Sequence, residues 1–214
     1  MCMESDSIVL IGGGGHCKAV IDVIEATGKF QIAGIVDTKD KVGQTTNGYK
    51  IFATDDALPQ LIKTYKHFVI TVGQIKNNKV RVRIFDQLKS LGATLPTIIS
   101  PLAYVSPRAQ VAEGTVILHK ALINNAATVG VNCIINTGAI VEHDAIVGNH
   151  CHISTNVTLN GTCAVADHSF VGSSTVVSHG VKIAEYNVIG AGSVVLNNTL
   201  PHHTLVGNPA KTIK

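Results

Sequence analysis

The chain has 214 residues, 45% of them hydrophobic, and a net charge of +3 at neutral pH; it is long enough for one large domain or two small ones with a sizeable core. So small a charge, with no lysine/arginine cluster and no aromatic platform, argues against nucleic acid as a partner. No apolar run approaches the roughly 20 residues that cross a bilayer, so a soluble protein acting on a small molecule is expected.

Met1 to Ser7 is polar and slightly acidic and does not read as a signal peptide. The five cysteines, Cys2, Cys17, Cys133, Cys151 and Cys163, are odd in number and contain no C-x-x-C pair, which suggests neither a zinc knuckle nor a disulfide framework and fits a reducing cytoplasm. Composition changes near Pro101. Residues 1–100 hold 12 of the 17 Lys/Arg and 9 of the 14 Asp/Glu, whereas the remainder holds 8 of the 10 histidines. Two differently built domains, 1–100 and 101–214, are expected.

In chain order, the first half predicts a strand at Ser7 to Ile11, a helix from about Cys17 to Thr27 stopped by Gly28, and a strand at Phe30 to Val36. A helix near Asp56 to Lys66, a strand at His67 to Val72, a helix near Lys79 to Leu91 stopped by Gly92, and a strand at Leu95 to Ile99 follow. This is β-α-β punctuation and implies a small parallel sheet of Rossmann type, with its ligand crevice at the carboxyl ends of the strands. Gly12 to Cys17, Asp37 and Gly73 to Asn78 fall at such ends. The segment VLIGGGGHCK opens a helix, so its amides and the helix dipole favour an anion. Started at Gly12, however, the dinucleotide fingerprint G-x-G-x-x-G requires glycine where Cys17 stands, which argues against NAD and an oxidoreductase. Arg81 and Arg83 follow the Gly73 loop at a helix start, where one would meet a phosphate or both would lie on a solvated face.

The second half repeats with a period of six. Every sixth residue from Val105 to Val195 is aliphatic, sixteen positions without exception, and the residue two before each is mostly small. Period six fits neither helix nor plain strand. It fits a β-helix in which each hexad forms one flat face and three hexads close a triangular coil of about 18 residues. Cys133, Cys151 and Cys163 share one hexad position and read as small structural thiols.

With the N-terminal IGGGGHCKAVIDVIE, TVGQIKNNKVR, the linker LPTIISPLAYVS, the central INTGAIVEHDAIVG and the tail VGNPAK, the hexad array resembles the sialic-acid O-acetyltransferase-like group of hexapeptide acyltransferases. Within it, the chain is similar to bacterial N-acetyltransferases of nucleotide-linked 4-amino sugars, of the diacetylbacillosamine and N-acetylperosamine type. The resemblance implies a left-handed β-helix, an exception to the right-handed crossover rule. It also implies a homotrimer with acetyl-CoA in the groove between neighbouring prisms, and an acetyl transfer to a UDP- or GDP-linked 4-amino-6-deoxy sugar in cell-surface polysaccharide biosynthesis. O-acetylation of a sugar such as sialic acid is the alternative. A zinc enzyme of the β-helical carbonic anhydrase kind is disfavoured because no histidine pair has that spacing. A non-catalytic sugar-binding or assembly module is the remaining alternative.

Acetyl transfer from a thioester to an amine needs a base for the amine's proton and donors for the developing oxyanion. His143, in Glu142-His143-Asp144, matches the family's general base, with Asp144 or Glu142 to orient its ring. Gly161 lies 18 residues on, one coil along the same face, so that its amide would point at the thioester carbonyl. The resemblance places Asn136 and His152 in the same cleft, His152 at the acetyl-bearing end of CoA or the sugar. It places Gly172, Gly190 and Gly192 along CoA, with Lys211 near its phosphates. The substrate's diphosphate or sugar is assigned to Gly12, Gly13, Gly14, Gly15 and His16, with Gly73 beside them and Asp37 toward the ribose or base. No metal is expected.

Overall fold

Residues 6–75 and 77–214 are described by a computed structural model, so that Cys2 and the first residues of the polar N-terminal segment lie outside it. Strand β1, Asp6–Ile11, is followed by helix α1, Gly15–Thr27, and strand β2, Phe30–Val36. Strands β3, Thr45–Thr46, and β4, Tyr49–Ala53, form a hairpin, after which come helix α2, Leu58–Leu61, strand β5, His67–Ile70, and helix α3, Lys79–Ser90. The sheet order is β3-β4-β2-β1-β5, parallel throughout except for the β3–β4 pair. Four successive residues of β1 and all four of β5 are buried, which explains why these strands read as continuous apolar runs instead of alternating ones. Helix α1 ends as expected at Gly28, which takes a left-handed φ of 61° and caps the carbonyls of Ile24 and Glu25.

Three expectations for this half change. The helix near Asp56 shrinks to a single turn at Leu58–Leu61 behind a 3-10 turn at Asp55–Ala57, with Pro59 at the helix start that proline favours. The β3–β4 hairpin was missed, although its signal is present: Asn47 and Gly48, both at positive φ (45° and 84°), form the Asn-Gly turn such hairpins prefer. The strand expected at Leu95 to Ile99 does not join the first sheet. Only Ile98–Ile99 is extended, and it pairs with Val116–Ile117 as the first rung of the second domain, ahead of the division drawn at Pro101.

From Ile98 to Val195, two-residue strands stack in parallel on three faces, each paired with a strand 18 residues away, as in Ile117↔Ile135↔Ile153↔Val171↔Ile189. The sixth-residue aliphatics fill the prism interior, from Ile117 and Ile123 to Ile189 and Val195. Corners are turned by residues at positive φ, among them Asn132, Asp144, His150, Asn156 and His168. Asparagine and aspartate tolerate that conformation better than most side chains. Cys133, Cys151 and Cys163 are buried, and their thiols donate to the carbonyls of Gly148 (3.0 Å), Ala166 (3.2 Å) and Ser178 (2.9 Å), as structural thiols would.

The two domains share their packing. Val20, Ile21, Val23 and Ile24 of α1 belong to one cluster with Ile98, Val116 and Leu118 of the prism. Each such buried side chain is worth about 1.5–3 kcal/mol. On the other side of the sheet, Phe85 and Leu88 of α3 pack in a cluster that includes Leu95 and Val131. The carboxyl ends of β1, β2 and β5 are thereby held against one face of the prism. Among the described residues no helix is long and apolar enough to cross a membrane.

Candidate active site

A cavity of about 910 Å³ opens where the strand ends meet the prism. Its lining joins Gly12, Gly14, Gly15 and His16 to Asp37, Gly73 and Gln74, and reaches Leu118, Asn136 and His152 on the prism. Residues assigned separately to substrate and cofactor thus share one chamber.

The four glycines divide by role. Gly12 donates to Val36 O (2.8 Å) and Gly13 to Asp37 Oδ2 (2.7 Å), so both N–H groups are consumed inside the protein, and Gly13 does not line the cavity. Gly12 takes φ 106°, and a Cβ there would lie 2.6 Å from Val72 Cγ2, so only glycine lets β1 and β5 close at this point. Gly14 and Gly15 instead have open space around them, and their N–H groups have no partner among the described residues. Helix α1 begins here with no side-chain cap and no acidic residue in its first turn. That leaves an anion-favouring terminus turned to the cavity.

Asp37 lines the cavity and also braces its wall. Its Oδ2 accepts from Gly13 N–H and from Lys41 Nζ (3.0 Å), and its Oδ1 from Thr38 N–H (2.7 Å). Burial alone would raise its carboxyl, but the Thr38 and Gly13 amides and the Lys41 ammonium outweigh burial and hold it below the usual carboxylate range.

On the prism wall, His152 Nδ1 lies 2.6 Å from Gln74 O, which can only accept, so Nδ1 carries the proton. Its Nε2 is then the acceptor for Asn136 Nδ2 at 3.2 Å, while Asn136 Oδ1 accepts Thr137 N–H. Burial, with Arg81 nearby, lowers His152 to about 4, the Gln74 bond opposing. Burial likewise lowers His16 to about 3. Both line the chamber as neutral imidazoles. Gln74 was not singled out from the sequence, although its segment TVGQIKNNKVR was; its carbonyl orients His152 and its Nε2 donates to His150 O at 2.8 Å.

Arg81 does not reach a phosphate site and does not lie on a solvated face. It is 1% exposed, donating to the carbonyls of Ile70, Val72 and Asn132. Arg83 does line the cavity, paired with Asp55 at 3.0 Å.

His143 stands at a different corner. Its Nδ1 lies 2.9 Å from Asp144 Oδ2, so the carboxylate holds the proton on Nδ1 and leaves Nε2 free as the basic atom. Asp144 turns its carboxylate back onto the ring from a left-handed φ of 59°. Glu142 is occupied elsewhere, accepting from Asn124 Nδ2 (2.7 Å) and from His143 N–H (3.2 Å). The ring is about half exposed, which suits a base that must meet an incoming amine. Gly161 lies one coil on at the same corner, since Thr162 N–H bonds to His143 O and Gly180 N–H to Gly161 O. The N–H of Gly161 has no partner among the described residues.

The glycines that the resemblance assigns to CoA lie at the corner that follows the His152 face. Residues Leu118, Asn136, Ser154, Gly172 and Gly190 each donate a backbone N–H to the next coil and form one column. The N–H groups of Gly172 and Gly190 serve Ile189 O and Leu205 O, and that of Gly192 serves Ser173 O. Glycine is needed there because a Cβ on Gly172 would lie 2.6 Å from Ala191 N and one on Gly190 2.7 Å from Val206 Cγ1. Gly192 takes φ +67°. With no side chains at Gly172 and Gly190, the backbone is bare at these positions of the column. Lys211 lies at its end, paired with Val206 in the hairpin that closes the last coil. One whole face of the prism, that of Ile140–Val141, separates this column from the His143 corner. Among the described residues no group of three or more His, Cys, Asp or Glu side chains is arranged to hold a metal ion.

Comparison with known proteins identifies relatives of the same fold. Residues 7–88 match the model of the PglD N-terminal domain. The chain superposes on PerB from Caulobacter crescentus, solved in complex with CoA and GDP-perosamine, with a TM-score of 0.90, 33% identity and 97% of each chain covered. It superposes on the acetyltransferase domain of PglB from Neisseria gonorrhoeae FA1090, solved with acetyl coenzyme A, with a TM-score of 0.89 and 29% identity over 98% of this chain and 100% of that one. UDP-N-acetylbacillosamine N-acetyltransferase of Bacillus subtilis (strain 168) is 34% identical over 116 residues, 52% of this chain and 51% of that protein, so the match spans about half the length of this curated relative.

Proposed function

The chain belongs to the left-handed β-helix family of nucleotide-linked amino-sugar N-acetyltransferases, and from that premise we propose that it transfers the acetyl group of acetyl-CoA to the 4-amino group of a UDP- or GDP-linked 4-amino-6-deoxy sugar. The observation that carries this reading is the shared chamber. The free amides of Gly14 and Gly15 suit the diphosphate, and Asn136 and His152, on the far wall, suit the sugar end. Such an arrangement fits a substrate held by a nucleotide handle, with its amine delivered to the prism.

In this reading His143 Nε2 accepts the amine proton as nitrogen attacks the thioester carbon, the Gly161 N–H faces the developing oxyanion, and CoA leaves as the thiol. No covalent acetyl-enzyme is required. CoA lies along the Gly172–Gly190 column with Lys211 toward its phosphates.

His143 lies a full prism face away from the chamber of its own chain, so a second copy must bring the two together. We place that copy, in a homotrimer, against the intervening face, whose outward residues Tyr104, Leu122, Ile140, Thr158, Val176 and Val194 form a stripe that is apolar at every rung but Thr158, with Tyr104 56% and Val176 37% exposed. The two domains divide the labour, residues up to the first rung of the prism holding the nucleotide and the prism holding CoA. A cytoplasmic location suits these substrates and the free thiols.

The test is thiol release from acetyl-CoA against UDP-, GDP- and dTDP-linked 4-amino sugars and free sialic acid. Turnover on a nucleotide-linked amino sugar is expected; turnover on sialic acid alone would overturn the proposal.

A further inference from the structure

The chamber poses an electrostatic problem that its visible side chains do not solve. A diphosphate would enter beside Gly14 and Gly15, yet the cations of the lining are already matched. The lining holds three cations, Lys39, Lys41 and Arg83, and as many carboxylates, Asp37, Asp55 and Asp56; Lys41 pairs with Asp37 and Arg83 with Asp55, each at 3.0 Å. His16 and His152 are uncharged at neutral pH. Only the amino end of α1 contributes a partial positive charge.

One cation nearby has no anion. Arg81 is 1% exposed, and the acceptors it meets are main-chain carbonyls: Ile70 O at 2.7 Å, Val72 O at 3.0 Å and Asn132 O at 3.2 Å. Its Nη2 is buried without any partner among the described residues. A guanidinium in such a place remains protonated, burial lowering it only to about 10. Leaving a charge buried and uncompensated is costly, and proteins tolerate it where something else completes the pairing. Val72, whose carbonyl Arg81 holds, lies directly against the phosphate loop, its N being 3.0 Å from where a Cβ on Gly12 would stand. Arg81 therefore sits just behind the wall on which a diphosphate would rest.

Resting on the nucleotide-sugar reading above, we propose that Arg81 is a positioning residue for the substrate's diphosphate. From behind the chamber wall it supplies the positive charge that the lining lacks, and it ties the end of β5 and the Gly73 loop to the prism corner at Asn132. It does not touch the substrate; low-dielectric protein between the two transmits the field with less loss than water would.

Isothermal titration calorimetry on the full chain tests this with UDP, GDP and the matching nucleosides, using wild type, R81Q and R81K. The readout is the ratio of diphosphate to nucleoside affinity, which a purely architectural role leaves unmoved. In R81Q that ratio should fall by at least ~10-fold while nucleoside affinity persists, and R81K, which keeps the charge, should stay near the wild-type ratio. An unchanged ratio in folded R81Q overturns the inference while leaving the nucleotide-sugar reading standing, and so does an equal loss in R81K and R81Q. Should R81Q fail to fold, the neutral and longer R81M takes its place: a ratio that falls as expected for R81Q upholds the role of charge, and an unchanged ratio overturns it. Failure of the wild type to bind any nucleoside diphosphate removes the nucleotide-sugar reading, and this inference with it.

Discussion

The imidazole of His143 covers Gly161 so closely that a Cβ on that glycine would lie 2.6 Å from Nε2 and 2.7 Å from Cε1. The glycine one coil on thus makes room for the ring and leaves its own amide bare beside the basic nitrogen. Substituting Gly161→Ala must displace the ring or the coil. Steady-state kinetics should show kcat reduced by about 10²-fold, the scale of losing an aligned base, with the KM for both substrates little changed. A kcat near wild type would mean that His143 is not used where it stands.

The two carboxylates flanking His143 are predicted to differ. Asp144 fixes the proton on Nδ1, so D144N should lower kcat by about 10- to 100-fold, less than the ~10⁴ of a buried triad aspartate because this one is half exposed. Glu142 is held by Asn124 and the His143 N–H, and E142Q should leave kcat within a few-fold of wild type. The reverse order in measured rates would assign the orienting role to Glu142.

Gly15 opens helix α1 with nothing within 4 Å of an added Cβ. An aspartate there fits sterically and suits the helix dipole, worth about 0.3–1 kcal/mol, so G15D should be at least as stable as wild type in thermal unfolding. It also places a negative charge where a diphosphate would lie. The KM for the nucleotide sugar should rise by at least ~10-fold at unchanged KM for acetyl-CoA, since like charges in close contact cost several kcal/mol. At nucleotide-sugar concentrations well below the KM of G15D, co-expressing G15D with H143A should then give turnover above that of either variant alone, because one chain keeps an intact chamber and the other an intact base. No recovery in mixed oligomers would place chamber and base within a single chain.

Acid should weaken the fold through His152 and His16. Their folded-state values, about 4 and about 3, lie below the ordinary 6.5, so below pH 6.5 the unfolded chain binds more protons than the folded one. Stability from this source is complete above pH 6.5 and is lost as pH falls through 6.5 toward 4. For His152 the loss amounts to roughly 3 kcal/mol. Denaturant unfolding at pH 7 and pH 5 checks the sign: wild type should lose stability on acidification, and H152N should lose less of it. Equal slopes would remove His152 from the account.

The prism was legible because its interior admits one kind of residue at one spacing; Val105 to Val195 mark the inward positions with no need of tertiary information. The helices α1 and α3 were legible through their glycine stops and apolar faces. The strand at Leu95 was misread because two apolar residues beside a domain junction fit either sheet, and pairing with Val116–Ile117 decided it. His143 and Asp144 could be proposed as neighbours in sequence. That Asn136 and His152 line one chamber with the Gly14–His16 turn could not, because it depends on how the prism docks on the strand ends. Arg81 was visible only as a charge on a helix; its burial follows from the same docking.

The central claim is that His143 takes the proton of a nucleotide-linked amine during acetyl transfer. Its most direct test is kcat for H143N with acetyl-CoA and whichever nucleotide-linked 4-amino sugar the wild type turns over, with substrate affinities measured in parallel. The account predicts a fall of about 10²- to 10⁴-fold with both substrates still bound. Turnover by H143N within a few-fold of wild type would contradict it.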